Sequence, residues 1–133
     1  THRGNHYNAF AEVDFSQYDE REGMELIRPV GKRPMQFITN IKNNDWSVFN
    51  NLTFKKRPTR VTLELKAVNS DAVLEIGKGS LQGDLMALCP IRSTNGQWDK
   101  QSFQVRKLKK KEKLYFIFRN SDKELAIKNF VFE

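Results

Sequence analysis

The sequence predicts an all-β protein, a single sandwich of two sheets, and three observations predict it. Apolar and polar residues alternate with period two in about ten short segments. Turn-forming residues, mainly Asn, Asp, Gly and Pro, separate these segments. No segment keeps a 3.6-residue apolar period over the length of a helix. Short strands at this turn-punctuated spacing are typical of a β-sandwich.

The first half of the chain is predicted to contain five strands. Residues 1–7 read as the end of a linker, residues 8–133 as the sandwich, and the polar residues 16–22 as a loop. The clearest strand is 60–67, because Val61, Leu63 and Leu65 alternate with polar residues and share one face. The five predicted strands are 8–15, 24–29, 35–41, 46–54 and 60–67.

The second half is predicted to contain five more strands. The last two carry apolar residues at successive positions, so both strands are expected to be central in their sheets. The predicted strands are 73–76, 85–91, one that contains Phe103, Val105 and Leu108, one around 114–118, and 125–132.

Composition sets the broad class of the protein. The 133 residues suffice for one domain with one core, and 38% hydrophobic and 29% charged residues are typical of a globular chain. No apolar run reaches the roughly 20 residues of a membrane helix. The single Cys89 has no partner for an internal disulfide and is expected to be a buried, unreactive thiol. Because the chain begins with Thr1, we expect a piece of a longer polypeptide, with any export signal upstream.

Motifs for catalysis are scarce. His2 and His6 have no acid or nucleophile near them in sequence, and no nucleophile elbow, zinc-protease helix or phosphate-binding glycine loop occurs. Glu12 and Asp14 are expected to share one strand face, about two rises of ~3.3 Å apart, which leaves a glycosidase-like pair as an alternative. Polar residues on the outside of an edge strand, or a cation site, are the competing interpretations.

The formal net charge of +7 leaves nucleic acid, an anionic surface and an acidic polymer open as partners, besides simple solubility. The most basic stretch is 106–113, which precedes an apolar strand. Such a run either binds phosphate or sulfate groups or forms a solvated turn. It carries no aromatic residue to stack on bases, which makes a nucleic-acid site the less favoured alternative.

Two tryptophans stand at turns. The polar turn 43–45 delivers Trp46 to a strand, as a hydrophobic plug or as a platform for a ligand. Trp98 follows the polar turn 93–97 and has no apolar neighbour in sequence, so it is predicted to stack on a sugar ring. The competing interpretation folds Trp98 onto the edge of the sandwich. Side-chain amides that could bond sugar hydroxyls beside Trp98 are Asn40, Asn43 and Asn120.

Four motifs, in order, resemble family 6 carbohydrate-binding modules. Residues 5–12 resemble the family's entry, which commonly reads Asn-Pro-Tyr and then Glu-Ala-Glu, and residues 41–46 resemble its Ile-x-x-Gly-Asp-Trp turn. Residues 85–98 resemble its strand and Ser-Thr-Gly-Gly-Trp loop with one inserted residue, and residues 127–132 resemble its closing strand. Modules of this family are often appended to bacterial glycoside hydrolases, including family 43 enzymes.

The resemblance implies a jelly-roll sandwich without catalysis and with one or two glycan clefts. In the loop cleft the family's Trp corresponds to Trp98, while Asn40 stands at the Tyr position, Ala126 at the Asn position and Ile27 near the Glu position. The second cleft, on a sheet face, retains its Trp as Trp46.

The resemblance also implies a structural calcium site, whose positions here read Phe10, Glu12 and Lys128. An ammonium group in place of a carboxylate argues against Ca²⁺. A Lys128–Glu12 ion pair is the hypothesis that replaces the metal. No cofactor is expected, and calcium, with Glu12 as a ligand, is the alternative.

The resulting hypothesis is a non-catalytic module that targets an attached glycoside hydrolase to plant or algal polysaccharide, in secreted, periplasmic or cell-surface form. The positive charge makes an anionic or sulfated glycan a candidate ligand, with Trp98, Asn40, Trp46 and Asn120 as site residues. No membrane partner is expected. The alternatives are a structural sandwich that packs against a catalytic domain with degenerate clefts, an enzyme that uses Glu12 and Asp14, and a nucleic-acid-binding domain.

Overall fold

The computed structural model of the protein describes residues 5–28, 36–68, 70–121 and 124–133, and these ranges contain twelve strands and a short 3₁₀ helix. No helix in the described ranges is long and apolar enough to span a membrane. In chain order the elements are β1 (His6–Asn8), β2 (Val13–Asp14), the 3₁₀ helix (Phe15–Gln17), β3 (Glu20–Glu22), β4 (Glu25–Ile27), β5 (Phe37–Thr39), β6 (Trp46–Thr53), β7 (Arg60–Lys66), β8 (Val73–Lys78), β9 (Leu85–Pro90), β10 (Asp99–Gln104), β11 (Lys111–Arg119) and β12 (Ala126–Phe132).

The strands form two six-stranded sheets, which confirms the predicted all-β sandwich. The first sheet has the order β1-β6-β11-β8-β9, with β3 also paired to β6. The second sheet has the order β10-β7-β12-β5-β4, with β2 also paired to β12. β1 runs parallel to β6, and the other described pairs are antiparallel. β11 and β12 are each flanked on both sides, so their predicted central positions are confirmed.

Phenylalanine side chains fill the space between the sheets. Phe116 of β11 and Phe130 of β12 lie 4.8 Å apart between ring centroids, which joins the central strands of the two sheets. Phe49 of β6 packs 5.0 Å from Phe130 and 5.4 Å from Phe116. All three rings are fully buried, and their tilted and edge-on geometry is the arrangement that aromatic pairs prefer.

The N-terminal prediction was wrong in two places. The predicted strand 8–15 is broken at a turn after Asn8, whose side chain accepts from the Phe10 N–H at 3.0 Å and whose carbonyl accepts from the Ala11 N–H at 3.1 Å. At its end, the Asp14 carboxylate accepts from the Ser16 backbone N–H at 2.9 Å and from the Ser16 hydroxyl at 2.7 Å. This cap turns the chain into the 3₁₀ helix and directs Phe15 into the core. The predicted loop 16–22 contains β3, which pairs with β6. β1 begins at His6 and pairs with β6.

The strand predicted from Phe103, Val105 and Leu108 was displaced. β10 begins earlier, at Asp99, because its hydrogen-bonding partner is β7 from Leu65 back to Arg60. The chain then leaves this ladder, and the Arg106 backbone N–H donates to the Met86 carbonyl of the first sheet at 2.7 Å. Leu108 reaches the core from this connection rather than from a strand.

The remaining strands lie where the pattern placed them. β6, β7, β9, β11 and β12 coincide with their predicted segments within a few residues at each end, and β8 extends two residues beyond its prediction. β4 and β5 lie within the strands predicted at 24–29 and 35–41 but are shorter, and residues 29 and 35 lie outside the described residues.

Removing the ring of Phe130 is expected to cost more stability than any surface change. Phe130→Ala leaves a cavity beside Phe116 and Phe49, and it should lower the free energy of unfolding by about 3–5 kcal/mol. Urea unfolding followed by tryptophan fluorescence measures the loss. Leu88→Ala is the matched control, because Leu88 is 54% exposed and should cost about 0.5 kcal/mol or less. Equal losses in the two variants would contradict this account of the core.

Candidate functional site

A tightly tied turn presents Trp98. The Thr94 backbone N–H donates to the Ala67 carbonyl at 2.9 Å, and the Thr94 hydroxyl accepts from the Ala67 N–H at 2.9 Å. Asn95 and Gly96 take left-handed backbone angles, with φ of 55° and 76°, which Asn and Gly tolerate best. The turn is thereby fixed to the end of β7, and Trp98 lies immediately before β10.

Trp98 lies half-buried among side chains of the second sheet's outer face. Its ring is 5.3 Å from Phe37 between centroids, at an edge-on angle of 71°. The ammonium groups of Lys66 and Lys128 lie over the ring, 5.0 and 4.5 Å from its centroid. Each such cation–π contact contributes about 0.5–1 kcal/mol at a partly exposed site. Part of the indole face that a sugar would use is therefore occupied by two positive charges.

Glu64 holds one of these lysines. Its carboxylate lies 3.4 Å from the Lys128 ammonium and accepts from the Asn129 amide at 2.9 Å. The hypothesis of a Lys128–Glu12 pair was wrong, because the neighbouring strand β7 offers Glu64 to Lys128 while Glu12 lies exposed before β2. Within the described residues, no group of three or more His, Cys, Asp or Glu side chains is arranged to hold a metal ion.

Two positions that the resemblance assigned to the loop cleft pair with neighbours of Trp98 in the second sheet. Ala126 pairs with Lys66 in the β12–β7 ladder, and Ile27 pairs with Phe37 across β4 and β5. The aromatic partner of Trp98 is Phe37, three residues before Asn40. The cleft therefore combines an aromatic wall and two ammonium groups with apolar residues at the positions where the family's hydroxyl-binding groups would stand.

Trp46 points outward from the first sheet. Its indole N–H donates to the Glu22 carboxylate at 2.9 Å, and its ring lies 5.6 Å from Tyr115 of the neighbouring β11. On the same outer face, the Arg119 guanidinium lies 3.1 Å from the Glu75 carboxylate. This face thus carries an aromatic pair flanked by charged groups that can bond hydroxyls.

A buried carboxylate fixes the turn before Trp46. Asp45 is 8% exposed, and one of its carboxylate oxygens accepts from the backbone N–H groups of Lys42 at 2.8 Å and Met24 at 3.1 Å. The Asp45 backbone also accepts from the Phe118 N–H at 2.9 Å. A Cβ atom at Gly23, whose φ is 76°, would collide with the Asp45 carboxylate. The 43–45 turn is therefore joined to two other parts of the chain.

Asn40 and Asn120 lie in loops at the same end of the sandwich. Both take left-handed backbone angles, with φ of 54° and 53°. The Asn120 amide donates to the Asp71 carbonyl at 3.2 Å, and its backbone N–H donates to the Asn43 side chain at 2.6 Å. Asn120 therefore joins two neighbouring loops, and glycan binding by Asn40 and Asn120 stays a prediction.

The alternative of a carboxylate pair is contradicted by the structure. Asp14 caps the 3₁₀ helix, and Glu12 lies outside any strand, so the two do not share a strand face.

Cys89 is fully buried in the core, and burial raises its pKa to about 12, so the thiol stays protonated at neutral pH.

Sequence reasoning missed several neighbours of the two tryptophans. Phe37, Lys66 and Tyr115 come from strands that are distant from Trp98 or Trp46 along the chain. Alternation in 60–67 did place Lys66 on the outer face, but only the pairing of β7 with β10 and β12 brings it to Trp98.

The family model for carbohydrate binding module (family 6) matches residues 16–133. The chain belongs to carbohydrate-binding module family 6. This family consists of non-catalytic binding modules. A search of curated proteins gives no significant match.

Solved structures give the same fold. A family 6 module from Clostridium cellulolyticum in complex with xylose is 18% identical, with a TM-score of 0.85 and coverage of 96% of this chain and 99% of that one. A Clostridium stercorarium module in complex with cellobiose is 20% identical, with a TM-score of 0.85 and 98% coverage of both chains.

The same fold also occurs inside an enzyme. A family 43 arabinoxylan arabinofuranohydrolase from Bacillus subtilis, in complex with cellotetraose, is 18% identical with a TM-score of 0.85. The match covers 96% of this module and 28% of that enzyme.

Removing the Asp45 carboxylate should loosen the turn before Trp46. Asp45→Ala leaves the buried Met24 N–H and the part-buried Lys42 N–H without their acceptor, so the free energy of unfolding should fall by about 1–3 kcal/mol. Thermal and urea unfolding measure this loss. Asp84→Ala in the exposed β8–β9 connection is the control and should change stability by about 0.5 kcal/mol or less. A control as unstable as the Asp45 variant would refute the assigned role.

Proposed function

We propose that this module binds polysaccharide at the cleft around Trp98 and keeps an attached glycoside hydrolase close to its substrate. The observation that carries the proposal is the aromatic wall that Trp98 forms with Phe37. By the sequence resemblance, Trp98 corresponds to the Trp of the family's loop cleft. Sugar rings have an apolar C–H face that stacks on such a wall. Tethering a weak module to an enzyme raises the local substrate concentration without any new contact in the active site.

The two lysines at Trp98 define the kind of sugar that this cleft favours. Lys66 lies over the rings of both Phe37 and Trp98, at 5.3 and 5.0 Å from their centroids. A sugar with a carboxylate or sulfate group can pair with these ammonium groups while its ring contacts the aromatic wall. A neutral sugar gains only the wall and must displace an ammonium group. We therefore favour an anionic plant or algal glycan as the ligand, met by a secreted, periplasmic or cell-surface protein.

The Trp46 face is proposed as a second glycan surface. The ring pair with Tyr115 supplies an apolar platform, and Glu22, Glu75 and Arg119 supply hydrogen-bonding groups around it. Because this face belongs to the first sheet and the Trp98 cleft to the second, the two surfaces can be tested separately.

A structural role is the second candidate function. Apolar Ala126 and Ile27 stand where the family's hydroxyl-binding groups would be, and ammonium groups cover part of Trp98. Under this alternative the module packs against a catalytic domain and binds no glycan.

A glycan microarray of neutral, uronate-containing and sulfated polysaccharides tests these alternatives, with wild type, Trp98→Ala and Trp46→Ala side by side. We expect Trp98→Ala to lower affinity for the best ligand by about tenfold or more, as truncation of a central aromatic contact does. Each Trp variant is the control for the other, because the residues lie on different sheets. Lys66→Gln together with Lys128→Gln should weaken binding of anionic glycans more than binding of neutral ones.

Each other outcome contradicts a stated part of the proposal. Binding that survives Trp98→Ala and is lost in Trp46→Ala would move the site to the first sheet. A wild-type module that binds no polysaccharide on the array would favour the packing role.

A further inference from the structure

The excess positive charge of the chain comes from two short segments. Residues 55–57 and 106–113 contain nine Lys and Arg side chains and one Glu, a net charge of +8. The whole chain carries +7, so the remaining 122 residues together carry −1. The positive charge is therefore a property of these two segments and not of the surface in general.

The fold brings the two segments together. The Phe54 backbone N–H, at the start of the first segment, donates to the Lys110 carbonyl at 2.8 Å, and the Val105 N–H donates to the Thr59 carbonyl at 3.0 Å. A pocket of about 370 Å³ lies between them. We call it the basic pocket, and its lining residues are Lys56, Arg57, Lys107, Leu108, Lys109 and Lys110.

The charges of the basic pocket are open to an external anion. All five of its basic side chains belong to exposed residues. The two salt bridges found in the described ranges, Arg119–Glu75 and Lys128–Glu64, involve none of them. The nearest carboxylate in sequence, Glu112, accepts a hydrogen bond from the Lys109 backbone N–H at 2.7 Å, so it caps the turn.

The floor and walls of the basic pocket are apolar between the charges. Leu108 is 4% exposed and belongs to the core, and lysine side chains carry long methylene stems below their ammonium groups. No aromatic residue lines the pocket, so it lacks the rings on which nucleic-acid bases stack. Separate point charges above a C–H-rich floor suit a sugar ring with sulfate or carboxylate substituents.

We propose that the basic pocket is a binding site for the sulfate or carboxylate groups of an anionic polysaccharide, separate from the Trp98 cleft. β7 runs from Arg60 beside the pocket to Lys66 beside Trp98, and seven residues of strand span about 20 Å. The two sites thus lie at opposite ends of the sandwich. A polymer chain that reaches both gains avidity that a short oligosaccharide cannot. The site stands on its own contacts and does not require that the Trp98 cleft binds sugar.

Affinity for dextran sulfate and for polygalacturonate, measured by fluorescence anisotropy from 50 to 500 mM NaCl, tests the site, with neutral dextran and a 30-base-pair DNA duplex as comparison ligands. The test variant combines Lys56→Gln, Arg57→Gln and Lys109→Gln. The matched control removes three charges elsewhere, through Arg28→Gln, Lys42→Gln and Arg92→Gln, all at exposed positions. Thermal unfolding establishes that both variants fold as the wild type does.

We expect the wild type to bind at least one of the two polyanions, with affinity that falls steeply as salt rises, and not to bind neutral dextran. The test variant should lose about tenfold or more in affinity, and the control less than about twofold. Equal losses in the test and control variants would show attraction to net charge alone and overturn the site.

Three further results would also overturn the proposal. The first is DNA binding as tight as polyanion binding at the same salt, which would assign the pocket to nucleic acid. The second is loss of polyanion binding in Trp98→Ala with retention in the test variant, which would place the anion in the Trp98 cleft. The third is a wild type that binds neither polyanion. These polyanion affinities do not depend on whether the Trp98 cleft binds neutral glycans.

Discussion

The contact between Phe116 and Phe130 is the constraint on which the rest of the molecule depends. A six-stranded sheet with an apolar inner face is stable only when another layer covers that face, and here a second sheet does so. These rings, 4.8 Å apart, belong to the two central strands, so they fix how the sheets face each other. The positions of the outer faces and end loops depend on this packing. Trp98 and Trp46 therefore sit on a rigid support, although neither belongs to the core.

The sequence predicted most of this arrangement because one face of each long strand is buried. In β7, Val61, Leu63 and Leu65 enter the core while Glu64 and Lys66 face outward, as the alternation indicates. The final two strands are each flanked by a strand on both sides, and their near-continuous apolar residues predicted this central position. A strand with one buried face has apolar residues at every second position, and this pattern allows the strand to be predicted from the sequence.

Prediction from the sequence failed where local hydrogen bonds or the order of strands in a sheet determine the structure. The Asn8 side chain binds the Phe10 N–H and the Asp14 side chain binds the Ser16 N–H, and these local bonds interrupt and end the first predicted strand. The surroundings of Trp98 depend on the order β10-β7-β12-β5, which brings Lys66, Lys128 and Phe37 beside it. Pairing order between non-consecutive strands is not recorded in any local pattern, so the tryptophan was predictable and its neighbours were not.

The lysines at Trp98 bear on the choice between a neutral and a charged ligand. A neutral sugar that stacks on this ring must displace an ammonium group, and each displaced contact costs about 0.5–1 kcal/mol. An anionic sugar instead pairs with that ammonium group as it approaches, so the same contact that excludes the neutral ligand recruits the charged one. Lys128 is partly neutralised by Glu64, at 3.4 Å, whereas Lys66 forms no salt bridge within the described part of the chain. Lys66 is for that reason the group we expect to distinguish the two classes of glycan.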